Sequence, residues 1–88
     1  MAHHQDAIKR IKQNAKRRAR NRHFRTRMRT QVKRVREAIA AGNADEASAQ
    51  LQNAISLIHR VASKGVIHRN QASRKISRLN RAVKNLSA

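Results

Sequence analysis

Between Lys9 and Arg36, 14 of 28 residues are Lys or Arg, none is Asp or Glu, and no Pro or Gly interrupts the run. One long helix can therefore thread the whole stretch. Wound at 100° per residue, its cations do not gather on one side. Lys9, Lys16, Arg20, Arg27 and Arg34 share one face, and Arg18, Arg22, Arg25, Arg29 and Arg36 share roughly the opposite one. A helix lying on a flat anionic surface needs only one basic face. A helix positive all round is best matched by a partner that surrounds it with negative charge, and folded RNA meets that demand.

Apolar spacing decides how much of this helix can be buried. Phe24, Met28, Val32, Val35 and Ile39 recur at steps of four and three, an amphipathic stripe. Upstream, Ile8, Ile11, Ala15 and Ala19 form a thinner stripe. The five-residue step from Ala19 to Phe24 swings it to another side of the helix, so the two halves cannot pack on one core. Gly42 suits the residue just past the helix end, because glycine accepts positive φ cheaply. Asn43 then caps a second helix, and Glu46 three residues on gives the pattern of a capping box.

The second helix carries Ala47, Leu51, Ala54, Ile55, Ile58 and Ala62, with Gly65 as its expected C′ residue. A connector at Val66–Arg69 leads to Asn70, the expected N-cap of a third helix bearing Ala72, Ile76, Leu79, Val83 and Leu86. Asp45 and Glu46 are explained as first-turn residues that complement a helix dipole. The predicted fold is all-α: an antiparallel three-helix bundle whose long basic first helix overhangs the others. It forms a single domain, 1–88, with a disordered tail at 1–7 and helices at 8–41, 43–64 and 70–87. Eighty-eight residues support only a thin core, so the fold should be marginal without partner phosphates.

Charge falls in three blocks. Residues 9–36 are basic, residues 37–58 hold no Lys or Arg and three of the four acids, and residues 59–88 carry eight cations and no acid. The net charge of +18 points to nucleic acid first and an anionic membrane a distant second. Arg74, Arg78 and Arg81 lie opposite the apolar stripe of the third helix. A solvated face would explain them too, but with no acid nearby to pair with them they read as a second phosphate-contacting surface. Arg outnumbers Lys 15 to 7, which suits bidentate phosphate contacts. With Phe24 the sole aromatic apart from histidines, base-stacking modules are disfavoured, and Phe24 itself reads as core.

Other classes fall away for stated reasons. There is no cysteine, no apolar run of membrane-spanning length, and no apolar stretch in Met1–Ala7 of the kind a signal peptide needs, so a soluble intracellular protein is expected. No nucleophile-base pair and no glycine-rich phosphate loop is present, so neither enzyme activity nor a cofactor is expected. Loss of Met1 would set His4 third from a free amine in Ala2-His3-His4, a copper- or nickel-binding arrangement, but a polar tail is the simpler reading. His59, at the bundle margin, reads as a half-exposed packing residue, and His68 as a cap neighbour or phosphate donor. A nucleoid-type DNA-compacting protein is the alternative function; the all-round basic helix and the missing dimer stripe weigh against it. The upstream stripe is too thin for a membrane helix.

Two blocks of sequence also resemble a known family. Lys9-Arg10-Ile11-Lys12-Gln13-Asn14, Lys16-Arg17-Arg18 and Arg29-Thr30 resemble the N-terminal helix of the bacterial small-subunit ribosomal protein S-twenty family. Lys64-Gly65-Val66-Ile67-His68-Arg69-Asn70, then Ala72, Arg74-Lys75 and Ser77-Arg78-Leu79, resemble its turn and third helix, and this block is the more specific. The resemblance spans about residues 2–88 and departs at His3, His4, Gln5 and Asp6. It implies a cytoplasmic, ribosome-bound structural protein that binds small-subunit ribosomal RNA directly, helps its assembly and adjoins neighbouring ribosomal components. No homo-oligomer and no membrane partner are expected. The residues assigned to RNA are Lys9, Arg10, Lys12, Lys16, Arg17, Arg18, Arg20, Arg22, Arg25, Arg27, Arg29 and Lys33 in the first helix. Lys64, His68, Arg69, Arg74, Lys75, Arg78 and Arg81 complete the set.

Overall fold

In a computed structural model, the backbone is described for residues 2–87 and side chains for residues 4–86. Three helices follow one another: α1 Ala2–Ala40, α2 Ala44–Ser63 and α3 Arg69–Ser87. The expected all-α architecture is present. Helix α1 runs to Ala2, where the sequence predicts a start at residue 8, because nothing in residues 2–7 breaks a helix. Met1 and the side chains of Ala2 and His3 lie outside the described residues, and the amino-terminal chelate considered above falls there.

The molecule measures 66 × 21 × 14 Å, with a radius of gyration of 17.6 Å. A compact domain of this length would have about 12 Å. The excess comes from α1. Residues 4–20 are exposed at every position, and at ~1.5 Å rise per residue they project roughly 25 Å beyond the bundle. Ile8 and Ile11 are 43% and 67% exposed, as expected for a stripe pointing away from the core.

From Asn21 onward α1 is packed. Helix α2 is the middle layer: α1 and α3 both pack chiefly on it and touch each other little. The core joins Met28, Val35 and Ala38 of α1 to Ala47, Leu51, Ala54, Ile58 and Val61 of α2 and Ala72, Leu79 and Val83 of α3, with Val66 from the connector. The anticipated Phe24, Val32, Ile39, Ile55, Ala62, Ile76 and Leu86 are half-buried at the margin. Val61 and Ala38 take places nearer the centre than the spacing alone suggests.

The two turns are built alike. Gly42 and Gly65 have φ of 72° and 76°, the left-handed region where a side chain is strained. At the first, the Gly42 N–H donates to the Ile39 carbonyl at 3.0 Å and the Asn43 N–H to the Ala38 carbonyl at 3.1 Å. At the second, the Gly65 N–H donates to Ala62 at 2.9 Å and the Val66 N–H to Val61 at 3.2 Å. Both are Schellman motifs, and the second brings Val66 onto the buried Val61, the apolar contact such motifs favour.

Asn43 caps α2 as expected, its Oδ1 accepting from the Glu46 N–H at 3.1 Å. The reciprocal half of the capping box is not formed. The Asn43 N–H already donates within the Schellman turn, so Glu46 turns along the helix and accepts from Gln50 Nε2 at 2.8 Å. Gln50 in turn holds Gln31, the one buried polar residue among the described residues. Gln31 Nε2 donates to Gln50 Oε1 at 2.8 Å and to the Gln50 carbonyl at 3.1 Å. A buried amide left without partners costs ~1–3 kcal/mol, so this pair favours one register of α1 on α2.

Candidate nucleic-acid interface

The N-cap of α3 is His68, not Asn70. The Asn70 N–H donates to His68 Nδ1 at 3.1 Å, and the Ala72 N–H closes the first helical turn on the His68 carbonyl at 3.1 Å. Asn70 is therefore already inside the helix. An imidazole nitrogen that accepts carries no hydrogen, so in the neutral ring the hydrogen sits on Nε2. His68 can thus cap the helix and still offer an outward N–H donor.

The expected cations separate into five settings. Lys9, Arg10, Lys12, Lys16, Arg17, Arg18 and Arg20 ring the projecting arm, all exposed. Arg22 stands at the base of the arm, and with Arg18, Arg25 and Arg29 it forms a track along one face. Arg27 lies on another side, beside Asn53, Ser56 and Arg60 of α2. Arg74, Arg78 and Arg81 line the exposed outer face of α3, with Arg69 at its start.

The remaining cations meet where α1, the connector and α3 come together. Arg25 Nη2 donates to the Val66 carbonyl at 3.4 Å, a long bond that ties the middle of α1 to the connector. Lys64 Nζ stands 5.2 Å from the centroid of the Phe24 ring, within cation–π reach. Phe24 also meets His23 edge to face, at 5.5 Å and 67°. Phe24 is thus core margin rather than a platform for a base, as its spacing suggests. Lys75 alone among the assigned cations is half-buried, on the wall of a groove opposite Arg29 and Lys33.

Several residues at these surfaces were not among those assigned to RNA. Arg36 and Gln71 line the same groove, and Arg60 faces Arg27 across α1 and α2. The signal for Arg36 exists in the sequence: it continues the face of Arg29 and Arg25, about two and three turns further on. Nothing local marks Gln71, whose place depends on how α3 meets α1. His59 is exposed rather than half-exposed, since Ile58 beside it takes the fully buried position.

Among the described residues no helix is long and apolar enough to cross a membrane, and no cluster of His, Cys, Asp or Glu is arranged to hold a metal ion. What the arrangement offers is positive charge on every side of an exposed rod, a chemistry of phosphate recognition.

Comparison with known proteins agrees with this geometry. The profile of the family Ribosomal protein S20 matches residues 2–84. A small ribosomal subunit protein bS20 from Geobacter sulfurreducens is 56% identical over 86 residues, covering 98% of this chain and 99% of the relative. The bS20 proteins of Pelobacter propionicus and Magnetococcus marinus are 54% and 52% identical, covering 98% and 99% of this chain and 99% and 95% of the relatives. Proteins of this family are structural components of the small ribosomal subunit in the cytoplasm and not enzymes. With a match along nearly its whole length, this chain belongs to the ribosomal protein S20 family.

Proposed function

We propose that the protein binds small-subunit ribosomal RNA directly, through phosphate contacts, and helps that RNA to assemble. One observation carries the reading: residues 4–20 form a helix exposed on all sides, with seven cations distributed around its circumference. A helix of this kind has no reason to project unless a partner encloses it. Charge of one sign around a full turn suits phosphates arriving from several strands, as a folded RNA supplies them. The second contact surface is the outer face of α3, where Arg74, Arg78 and Arg81 are exposed.

The proposed division of labour assigns the arm and α3 to phosphates and α2 to the scaffold. Helix α2 has Arg60 as its one cation and presents its buried side to both neighbours. Binding of the purified protein to small-subunit ribosomal RNA, with duplex DNA of equal length as competitor, tests this. Preferential retention of RNA at moderate salt is the expected result. Equal displacement by duplex DNA would favour a nucleoid-type protein instead.

A further inference from the structure

The groove between α1 and α3 exists because both helices pack on α2 and barely meet each other. Its volume is about 520 Å³, within the ~300–1,000 Å³ range of sites that hold a small ligand. The floor is apolar, formed by Met28, Val32 and Ile67. Five cations stand around it: Arg25, Arg29, Lys33, Arg36 and Lys75. No acidic residue lines it, and the single neutral polar side chain is Gln71, at the exposed start of α3.

A phosphate backbone lying across the surface would use the cations but would leave the apolar floor against water or against ribose. A side chain from an acidic protein segment would use both, yet the cation track of Arg18, Arg22, Arg25 and Arg29 runs from the arm directly into the groove. A strand that follows the arm therefore arrives here. The occupant that fits both the charge and the floor is a nucleotide with its base out of the stack. RNA offers such bases in bulges and loops, where they are splayed out and stacked on aromatic side chains or Arg guanidinium planes; here Arg25, Arg29 and Arg36 supply guanidinium planes beside the aliphatic floor.

We propose that the α1–α3 groove takes one unstacked nucleotide of the bound RNA, its base against Met28, Val32 and Ile67 and its phosphates between Arg29, Lys33 and Lys75. The proposal rests on the RNA-binding reading above and deepens it: the arm gathers phosphates without regard to sequence, and the groove selects for an unpaired position. The floor is aliphatic and reads a base by its flat face, so any base is accepted and pairing status is what is discriminated.

The test uses the whole protein, labelled with ¹³C at Met, Val and Ile methyls, and two RNA hairpins with one stem sequence. One hairpin carries a single bulged adenosine and the other is fully paired. The bulged hairpin is expected to bind about tenfold more tightly, the scale of burying one base face. It should also move the methyl signals of Met28, Val32 and Ile67 upfield, and the paired hairpin should leave them in place. Ile67→Ala should shrink the tenfold preference while preserving affinity for the paired hairpin. Equal affinity for both hairpins, with the three methyls unmoved, overturns the groove proposal and leaves RNA binding intact. An acidic, leucine-containing peptide that moves these methyls when the bulged hairpin does not would assign the groove to a protein and overturn it too. Failure of either hairpin to bind at low salt would remove the RNA reading itself, and the groove proposal with it.

Discussion

The two halves of α1 carry the same number of cations, seven in residues 4–20 and seven in residues 21–40, yet one half is bare and the other is built into a core. Charge does not separate them. The difference lies in which apolar residues ride along and at what phase. The downstream half presents Phe24, Met28, Val32 and Val35 on one side, burying Met28 and Val35 in the core and packing Phe24 and Val32 at its margin. The stripe of the upstream half consists of Ile8, Ile11, Ala15 and Ala19, turned to another side and exposed. Burying a large aliphatic side chain contributes ~1.5–3 kcal/mol. Alanines and a rotated stripe forgo that, and the cations then decide what the arm can do.

The sharpest way to break this contrast is salt. If six to ten cations neutralise phosphates, affinity for small-subunit RNA should fall ~10²–10⁵-fold between 50 and 200 mM salt, a log–log slope of roughly −4 to −9. The bundle's own melting should hardly respond. A slope shallower than about −2 would rule out phosphate neutralisation as the source of affinity. Replacing Arg17, Arg18 and Arg22 together with Ala should lessen the slope by roughly 2–3 while sparing the thermal transition, since all three are exposed.

Next in size is the core. Leu79 is 4% exposed in the centre of α3, and Leu79→Ala should cost roughly 2–5 kcal/mol through the cavity it leaves. Thermal or urea unfolding reads this directly. Equal destabilisation by the arm triple variant and by Leu79→Ala would mean the arm belongs to the core after all.

A smaller effect is expected at the second turn. Beyond its two chain neighbours, no atom lies within 4 Å of where a Cβ on Gly65 would sit, so space is no obstacle there. Only the positive φ of 76° opposes a side chain, and Gly65→Ala should cost about 1–2 kcal/mol. A cost near zero would show that the turn relaxes to another conformation.

The smallest effects lie in the free arm. Like charges one turn apart, at Lys12/Lys16, Lys16/Arg20 and Arg18/Arg22, each disfavour the isolated helix by roughly 0.2–0.5 kcal/mol. With no packing to offset this, residues 1 to about 22 should exchange their amide hydrogens far faster than Val35 or Ile58, and slow down on binding RNA. Strong protection of Ile11–Arg22 in the free protein at moderate salt would overturn the expectation.

Helix count, both glycine turns, the cap at Asn43 and the split of α1 into arm and scaffold follow from residues a few positions apart. They are local consequences of spacing, capping chemistry and φ preference, and so were legible in the chain. The charge reading was equally legible, because surface cations in an acid-poor segment keep their exposure whatever the packing. Other features depended on how the helices meet. His68 displaced Asn70 as the cap of α3 because the Schellman turn at Gly65 and the burial of Val66 set where the chain re-enters a helix. Glu46 lost its capping-box bond because the previous turn had already taken the Asn43 N–H. Gln31 is polar by sequence and buried by fold, satisfied by a residue nineteen positions away. The groove with Gln71 and Lys75 opposite Arg36 appears only when α3 packs on α2 and leaves α1 open. Local sequence determines which surfaces each helix has to offer, whereas a site shared by two helices depends on the distance and angle between them, which only packing sets.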